Sequence, residues 1–249
     1  MQRIGVFDSG IGGLTTLAEI KCLLGGGDFV FFADNKRSPF GLKSQEELFD
    51  IGCDGVKTLL SLGCDIIVLG CNTLTATTKP KLMERFKGVN IVGTEPAVKP
   101  AINECCKVAL LATPASIASD RVQNLLLECR GQVTCFPQSN LAGIIEKIAP
   151  DYDIMYDYVS SAYRFLSDYD GLVLGCTHFV HVKHVFQECF KNLKIFDGNY
   201  GVAKRVKSFI NCEIKNERVK IYLTQKDEEE RYYKIFDNFC KNLKMGIEK

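Results

Sequence analysis

Two pseudo-symmetric α/β domains, each a mainly parallel sheet flanked by helices, are the fold that this 249-residue chain predicts. Three observations predict it. First, two peptides read as copies of one another: Asp65-Ile-Ile-Val-Leu-Gly-Cys71-Asn72-Thr73 and Asp170-Gly-Leu-Val-Leu-Gly-Cys176-Thr177-His178. Each is an apolar run closed by glycine, the pattern of a buried parallel strand entering a loop. Second, helical patterns alternate with such runs, which indicates parallel sheets. Third, the strand and loop units of the first half recur in the same order in the second. Each cysteine then stands at the carboxyl end of its strand, where open α/β sheets bind ligands. Two equivalent cysteines imply a site with one thiol on each side of a small molecule.

The elements follow in order. The first strand, Arg3-Ile4-Gly5-Val6-Phe7-Asp8, runs into Ser9-Gly10-Ile11-Gly12, and 12–24 reads as a helix. Residues 44–60 carry apolar positions at Leu48, Ile51, Val56, Leu59 and Leu60, with Ser44 and Glu47 spaced as a capping box. A helix over 75–86 follows the first cysteine, and Asn90-Ile91-Val92-Gly93 is the next strand. In the second half, Val108-Ala109-Leu110-Leu111 matches Ile4-Gly5-Val6-Phe7, and Thr113-Pro114-Ala115-Ser116 matches the first loop. Helices are expected over 117–129, 142–149, 153–166 and 181–190. Lys194-Ile195-Phe196-Asp197 matches Asn90–Gly93. Residues 219–223 read as one more strand, followed by a cap over 224–227 and an amphipathic helix to about Leu243. This tail has no counterpart in the second half and is expected to complete the first domain. The domains are therefore 1–96 plus 207–249, and 97–206, with the chain crossing between them near 95–100 and 202–209.

Composition excludes several classes. A formal charge of +1 argues against nucleic-acid binding, which needs a basic surface. No apolar run approaches the length of a membrane span. The N-terminus enters a strand directly and lacks the apolar stretch of a signal peptide. Twelve cysteines without such a signal are expected to be reduced thiols in the cytoplasm. Cys22, Cys53, Cys64, Cys129, Cys189, Cys212 and Cys240 read as small hydrophobes in helical or buried contexts.

Chemistry concentrates at the strand ends. Asp8-Ser9-Gly10-Ile11-Gly12-Gly13 opens a helix, and its glycines would let backbone N–H groups approach an anion. Its spacing is not a dinucleotide fingerprint, and no phosphate-loop motif exists. Asp8 reads either as a helix cap or as an acid orienting a thiol. Asn72, Thr73, Thr177 and His178 follow the cysteines directly and suit a carboxylate or ammonium ligand. Phe40-Gly41, within Ser38-Pro39-Phe40-Gly41, is a turn able to present N–H groups, and Thr113 and Ser116 offer hydroxyls. The histidines are His178, His181 and His184. On one helix the last would lie about 240° from the first, so the three do not converge on one ion. No zinc-ligand spacing is present. His178 is expected to tune Cys176, with His181 and His184 on a helix surface or supporting the site.

Phe7-Asp-Ser-Gly-Ile-Gly-Gly-Leu-Thr15, Gly70-Cys-Asn-Thr73 and Gly175-Cys-Thr-His178 together resemble the bacterial glutamate racemases of the cofactor-independent aspartate/glutamate racemase superfamily. The resemblance runs from Ile4 to the final helix. It implies two α/β domains facing each other across a cleft, with L- or D-glutamate between them, no cofactor, no metal and, commonly, a homodimer. Carried over, Cys71 and Cys176 are the acid/base pair, assisted by Asp8 and His178 respectively. Cys71 would take the proton from D-glutamate and Cys176 from L-glutamate. Asp8-Ser9, Pro39-Phe40-Gly41, Asn72-Thr73 and Thr177-His178 occupy substrate-binding positions, with Thr113 and Ser116 as further carboxylate-binding hydroxyls. The implied role is supply of D-glutamate for peptidoglycan. Two departures stand out. Phe40 replaces the usual tyrosine, so any contact by that hydroxyl is lost. Leu74 replaces a common alanine and is expected to reshape the pocket wall. A racemase of aspartate or a related diacid is the alternative, and a non-catalytic amino-acid binding protein a more distant one.

Overall fold

In the computed structural model, residues 2–129, 131–148, 152–211 and 217–247 are described. The strands are β1 (Arg3–Asp8), β2 (Gly27–Ala33), β3 (Ile66–Leu69), β4 (Asn90–Gly93), β5 (Val108–Ala112), β6 (Val133–Pro137), β7 (Gly171–Leu174), β8 (Lys194–Asp197) and β9 (Glu217–Leu223). They form two sheets, ordered β4-β3-β1-β2-β9 and β6-β5-β7-β8. Every pairing among them is parallel. Written from the other edge, the second sheet is β8-β7-β5-β6, the same order as the first four strands of the first. The internal repeat is therefore one of topology as well as of residues.

The repeat extends to hydrogen bonds. Asp65 accepts from the backbone N–H of Arg3 at 2.7 Å, at the head of β1. Asp170 accepts from Cys106 and Lys107 at 2.8 and 2.7 Å, at the head of β5. At the other end, Gly70 N–H donates to Phe7 O at 2.8 Å, and Gly175 N–H to Leu111 O at 2.7 Å. Each copied peptide is thus tied at both ends to the central strand of its own sheet. That places Cys71 and Cys176 at equivalent strand ends.

The helices are α1 (Gly12–Leu24), α2 (Gln45–Ser61), α3 (Asn72–Arg85), α4 (Val98–Glu104), α5 (Pro114–Ile117), α6 (Asp120–Leu127), α7 (Leu141–Ile148), α8 (Tyr152–Ala162), α9 (Thr177–Val180), α10 (Lys183–Cys189), α11 (Asn199–Lys207) and α12 (Glu229–Ile247). The capping box forms as expected: Ser44 accepts from Glu47 N–H at 3.2 Å, and Glu47 accepts from Ser44 N–H at 3.1 Å. The strand expected over 219–223 starts earlier, at Glu217, and pairs with β2.

Several expectations need correction. The helix expected over 117–129 begins only at Asp120 and ends at Leu127, with Ser119 as its cap, and a separate short helix, α5, capped by Thr113, ends at Ile117. The helix over 153–166 stops at Ala162, and a 3₁₀ turn (Arg164–Asp168) follows. The helix over 181–190 begins only at Lys183. The helix after Cys71 begins at Asn72, so Asn72 and Thr73 form its first turn. Two strands, β2 and β6, were not expected at all. Cys212 lies outside the described residues, and every described cysteine is a free thiol.

Helix α1 packs against α9, α11 and α12, so it belongs to both halves. One apolar core accordingly runs from Val6, Phe31 and Leu14 through to Leu111, Leu174 and Phe179. Full burial of each such side chain is worth about 1.5–3 kcal/mol. Asn199 fixes α11 to α1, accepting from Thr16 at 2.7 Å and donating to Thr15 at 3.0 Å. Among the described residues no helix is long and apolar enough to cross a membrane.

Candidate active site

Strands β3 and β7 deliver the two sulfurs. Cys71 is the N-cap residue of α3 and Cys176 that of α9, both in extended conformation. Both are buried, at 7% and 6% exposure. They line one cavity of about 230 Å³, together with Ser9, Pro39, Phe40, Gly41, Thr73, Thr113 and His178. That volume is below the range of drug-sized sites, roughly 300–1,000 Å³, and suits a small ligand.

The remaining expected residues stand behind this wall. Asp8 is fully buried and accepts from Gly10 N–H, Ser9 Oγ and Thr177 Oγ1, each at 3.1 Å. It does not cap α1, whose N-cap residue is Ile11. Its bond from Thr177 crosses between the halves. Ser116 is fully buried and accepts from Thr113 Oγ1 at 2.8 Å. Thr73 and Thr113 hydroxyls lie 2.8 Å apart, so this hydroxyl cluster also joins the two halves. Asn72 turns away and lies 3.5 Å from the carbonyl of Thr94. Phe40 is buried with its ring against Phe7, so the aromatic ring serves the core. Leu74 is likewise fully buried in the core with Phe40 and does not line the cavity, which corrects the expectation that it reshapes the wall.

The surroundings of the two sulfurs differ in charge. Burial pushes the Cys71 thiol well above its ordinary value, and the nearby Asp8 adds to this. The N–H groups of Leu74 and Thr73 offset part of it. Cys71 therefore rests protonated. Cys176 instead has His178 Nδ1 at 4.0 Å. His178 Nε2 bonds Glu146 Oε2 at 2.6 Å. Burial alone would lower the imidazole, but its bonds to Cys176 and Glu146 outweigh this and hold it well above its ordinary value. Glu146 shows the mirror effect: burial works to raise it, and His178 and the Ile11 N–H hold it below the usual carboxylate range. The pair is imidazolium and carboxylate. Burial also raises Asp8, against the pull of His178 and its three donors.

Glu146, on α7, is absent from the sequence expectation. It receives the N–H of Ile11 at 3.1 Å and the hydroxyl of Tyr232 at 3.2 Å. The anion approached by the glycine-rich loop is thus a carboxylate of the protein itself. This explains two glycines. A Cβ at Gly10 would meet Glu146 Oε2 at 2.4 Å, and one at Gly12 would meet His178 Nδ1 at 2.5 Å. Only glycine lets the second half approach this closely.

The three histidines part ways. His181 Nε2 donates to Ile11 O at 2.9 Å, and burial pushes the ring down to about 4, so it is neutral. His184 is exposed on α10.

The chain matches the family model for Asp/Glu/hydantoin racemases over residues 38–243. It is 34% identical to the glutamate racemase of Halothermothrix orenii over 216 residues, covering 84% of this chain and 85% of that one. Among solved structures it is similar to Escherichia coli glutamate racemase in complex with L-glutamate and the activator UDP-MurNAc-Ala. The TM-score there is 0.83 at 22% identity, covering 96% of this chain and 95% of that one. It is also similar to Francisella tularensis glutamate racemase in complex with D-glutamate, with a TM-score of 0.77 at 24% identity and coverage of 96% and 94%. Both likenesses match the two-sheet α/β architecture.

Proposed function

The chain belongs to the Asp/Glu/hydantoin racemase family, a family of isomerases, and on that premise we propose that it interconverts L- and D-glutamate by two-base proton transfer at Cα. Cys71 and Cys176 are the bases. The observation that carries the reading is that two sulfurs, at equivalent strand ends of a repeated topology, line one small cavity. Racemisation needs a base on one face of Cα and an acid on the other, and a single group would have to cross the substrate plane.

The charges set the resting state. Cys71 holds its proton, and the His178 imidazolium stands beside Cys176, its Nδ1 4.0 Å from the sulfur. This state is ready for L-glutamate: Cys176 takes the α-proton and the Cys71 thiol returns one to the opposite face. D-glutamate requires the reverse state, reached by proton exchange with solvent. The α-proton is less acidic than a thiol by more than about ten units, so the site must offset upwards of about 14 kcal/mol. Preorganised donors and exclusion of water carry this load without a cofactor. Thr73 and Thr113 are the hydroxyls offered to substrate carboxylates, and Ser116 orients Thr113 from behind. Asp8 and Thr177 join the two strand ends. Free thiols throughout the described chain fit a reducing cytoplasm. The role proposed there is supply of D-glutamate for peptidoglycan, with a homodimer as the assembly.

The test is circular dichroism of D-glutamate with purified protein dialysed against a chelator. Ellipticity should decay to zero without added metal or cofactor, while D-aspartate keeps its signal. Faster decay with D-aspartate would favour the diacid alternative. Activity that only zinc or pyridoxal phosphate restores would overturn the cofactor-free mechanism.

A further inference from the structure

We propose that Tyr232 is a positioning residue of this reaction, its hydroxyl fixing the Glu146 carboxylate against His178. The inference rests on the reading of Cys176 and His178 given above. Tyr232 belongs to α12, at the far end of the chain from the loops that carry the cysteines. Its side chain is fully buried, with the ring 6.3 Å from that of Phe31 on β2. The phenol donates to Glu146 Oε1 at 3.2 Å, while Oε2 takes His178. The neighbouring Arg231 donates to the backbone carbonyl of Glu146. One turn of α12 therefore holds both the side chain and the main chain of a residue on α7.

The consequence is electrostatic. Two protons of the Glu146–His178 pair can be divided as carboxylate and imidazolium or as two neutral groups. Donors to the carboxylate favour the charged arrangement. Ile11 N–H is closer to Oε2 (3.1 Å) than to Oε1 (3.4 Å), so Tyr232 is the principal donor on Oε1. Burial drives the phenol far above its ordinary value, so it stays a donor. The charged or titratable groups facing this carboxylate are His178, Arg231 and His181, with Asp8 and Glu228 facing the phenol. His181 is neutral over the working range. A loss of the phenolic hydroxyl thus falls on the Glu146–His178 pair, and through it on the charge beside Cys176.

The test is Tyr232→Phe in the full chain, which keeps the ring and its packing. We expect kcat/KM to fall about tenfold, the size of one hydrogen bond to a charged group. The acid limb of its pH profile should move to higher pH, because Glu146 then protonates more readily. The proton resonance of His178 Nε2–H should shift in the same variant, a reading independent of turnover. In a Glu146→Gln background the Tyr232→Phe change should add no further loss. If Tyr232→Phe does not fold, 3-fluorotyrosine at 232 is a stronger donor of the same shape and should move the acid limb to lower pH. Wild-type kcat/KM and an unmoved acid limb would overturn the proposal. So would a lowered Tm with an unmoved acid limb, which would leave Tyr232 a packing residue. Failure of the racemase reading is distinct: the wild-type protein itself would lack turnover.

Discussion

Cys71→Ser and Cys176→Ser should each lower kcat/KM for glutamate racemisation by at least about 10³-fold, within the range that acid and base groups contribute. A serine hydroxyl is too weakly acidic to supply either the anionic base or the proton. The free isomers are enantiomers, so the equilibrium constant is one. Both directions must therefore lose kcat/KM by the same factor. The division of labour shows only when the two steps are separated. Elimination from a glutamate analogue with a leaving group at the β-carbon needs one base. Cys71→Ser should retain it for the L-isomer, whose proton Cys176 takes, and Cys176→Ser for the D-isomer. The fold should survive, since both sulfurs sit at strand ends and a serine occupies less volume. Elimination from both isomers by either mutant, or near wild-type racemisation in either, would contradict the assignment.

Glu146→Gln should be the next most damaging change. His178 is nearly fully buried, and breaking a buried ion pair costs about 3–5 kcal/mol when a charge is left alone. Glu146 is 21% exposed, and glutamine keeps one hydrogen bond, so the low end of that range applies. The pH dependence has a definite sign. His178 is raised above 6.5 in the folded state, so its contribution is complete below that pH and is lost as pH rises through the raised value. Glu146 is lowered below 4.5, so its contribution is complete above that pH and is lost as pH falls through the lowered value. The Tm gap between wild type and Glu146→Gln should be widest between pH 4.5 and 6.5 and narrow on both sides. Thermal unfolding across pH reads this directly. A gap independent of pH would mean that the pair carries no charge. In kinetics, kcat and KM should change by different factors in the two directions, because only one face loses its cation.

What the sequence makes legible is local. The copied peptides predict strands β3 and β7; their aspartates and glycines make equivalent hydrogen bonds, and their cysteines stand at equivalent strand ends. Ser44 and Glu47 announce their helix because both halves of the capping box lie within one turn. The C-terminal strand without a counterpart in the second half, β9, pairs with β2 in the first sheet. What is not legible is long-range. Glu146 meets Ile11 across 135 positions and Tyr232 across 86, and no local pattern on α7 marks that carboxylate. Strand β6 is short, half-exposed and ends in Pro137, so its apolar pattern is weak. Strand β2 is entered through Gly25, Gly26 and Gly27, all at positive φ, which hides its start behind a turn signal. The late start of α6, at Asp120, depends on the Ser119 side chain closing on Val122 N–H at 3.3 Å. The Gly10 and Gly12 signal was visible, but the anion it serves is protein, not ligand.

The central claim is that two thiols act on opposite faces of one carbon, and deuterium incorporation at initial rate tests it most directly. In deuterated water the thiol that returns a proton carries deuterium from solvent. Starting from L-glutamate, the D-glutamate formed should carry one deuterium at Cα, while recovered L-glutamate stays protiated. Starting from D-glutamate, the same should hold with the isomers exchanged. Deuterium entering the starting isomer as fast as the product, or protium carried from substrate to product, would mean that a single group serves both faces.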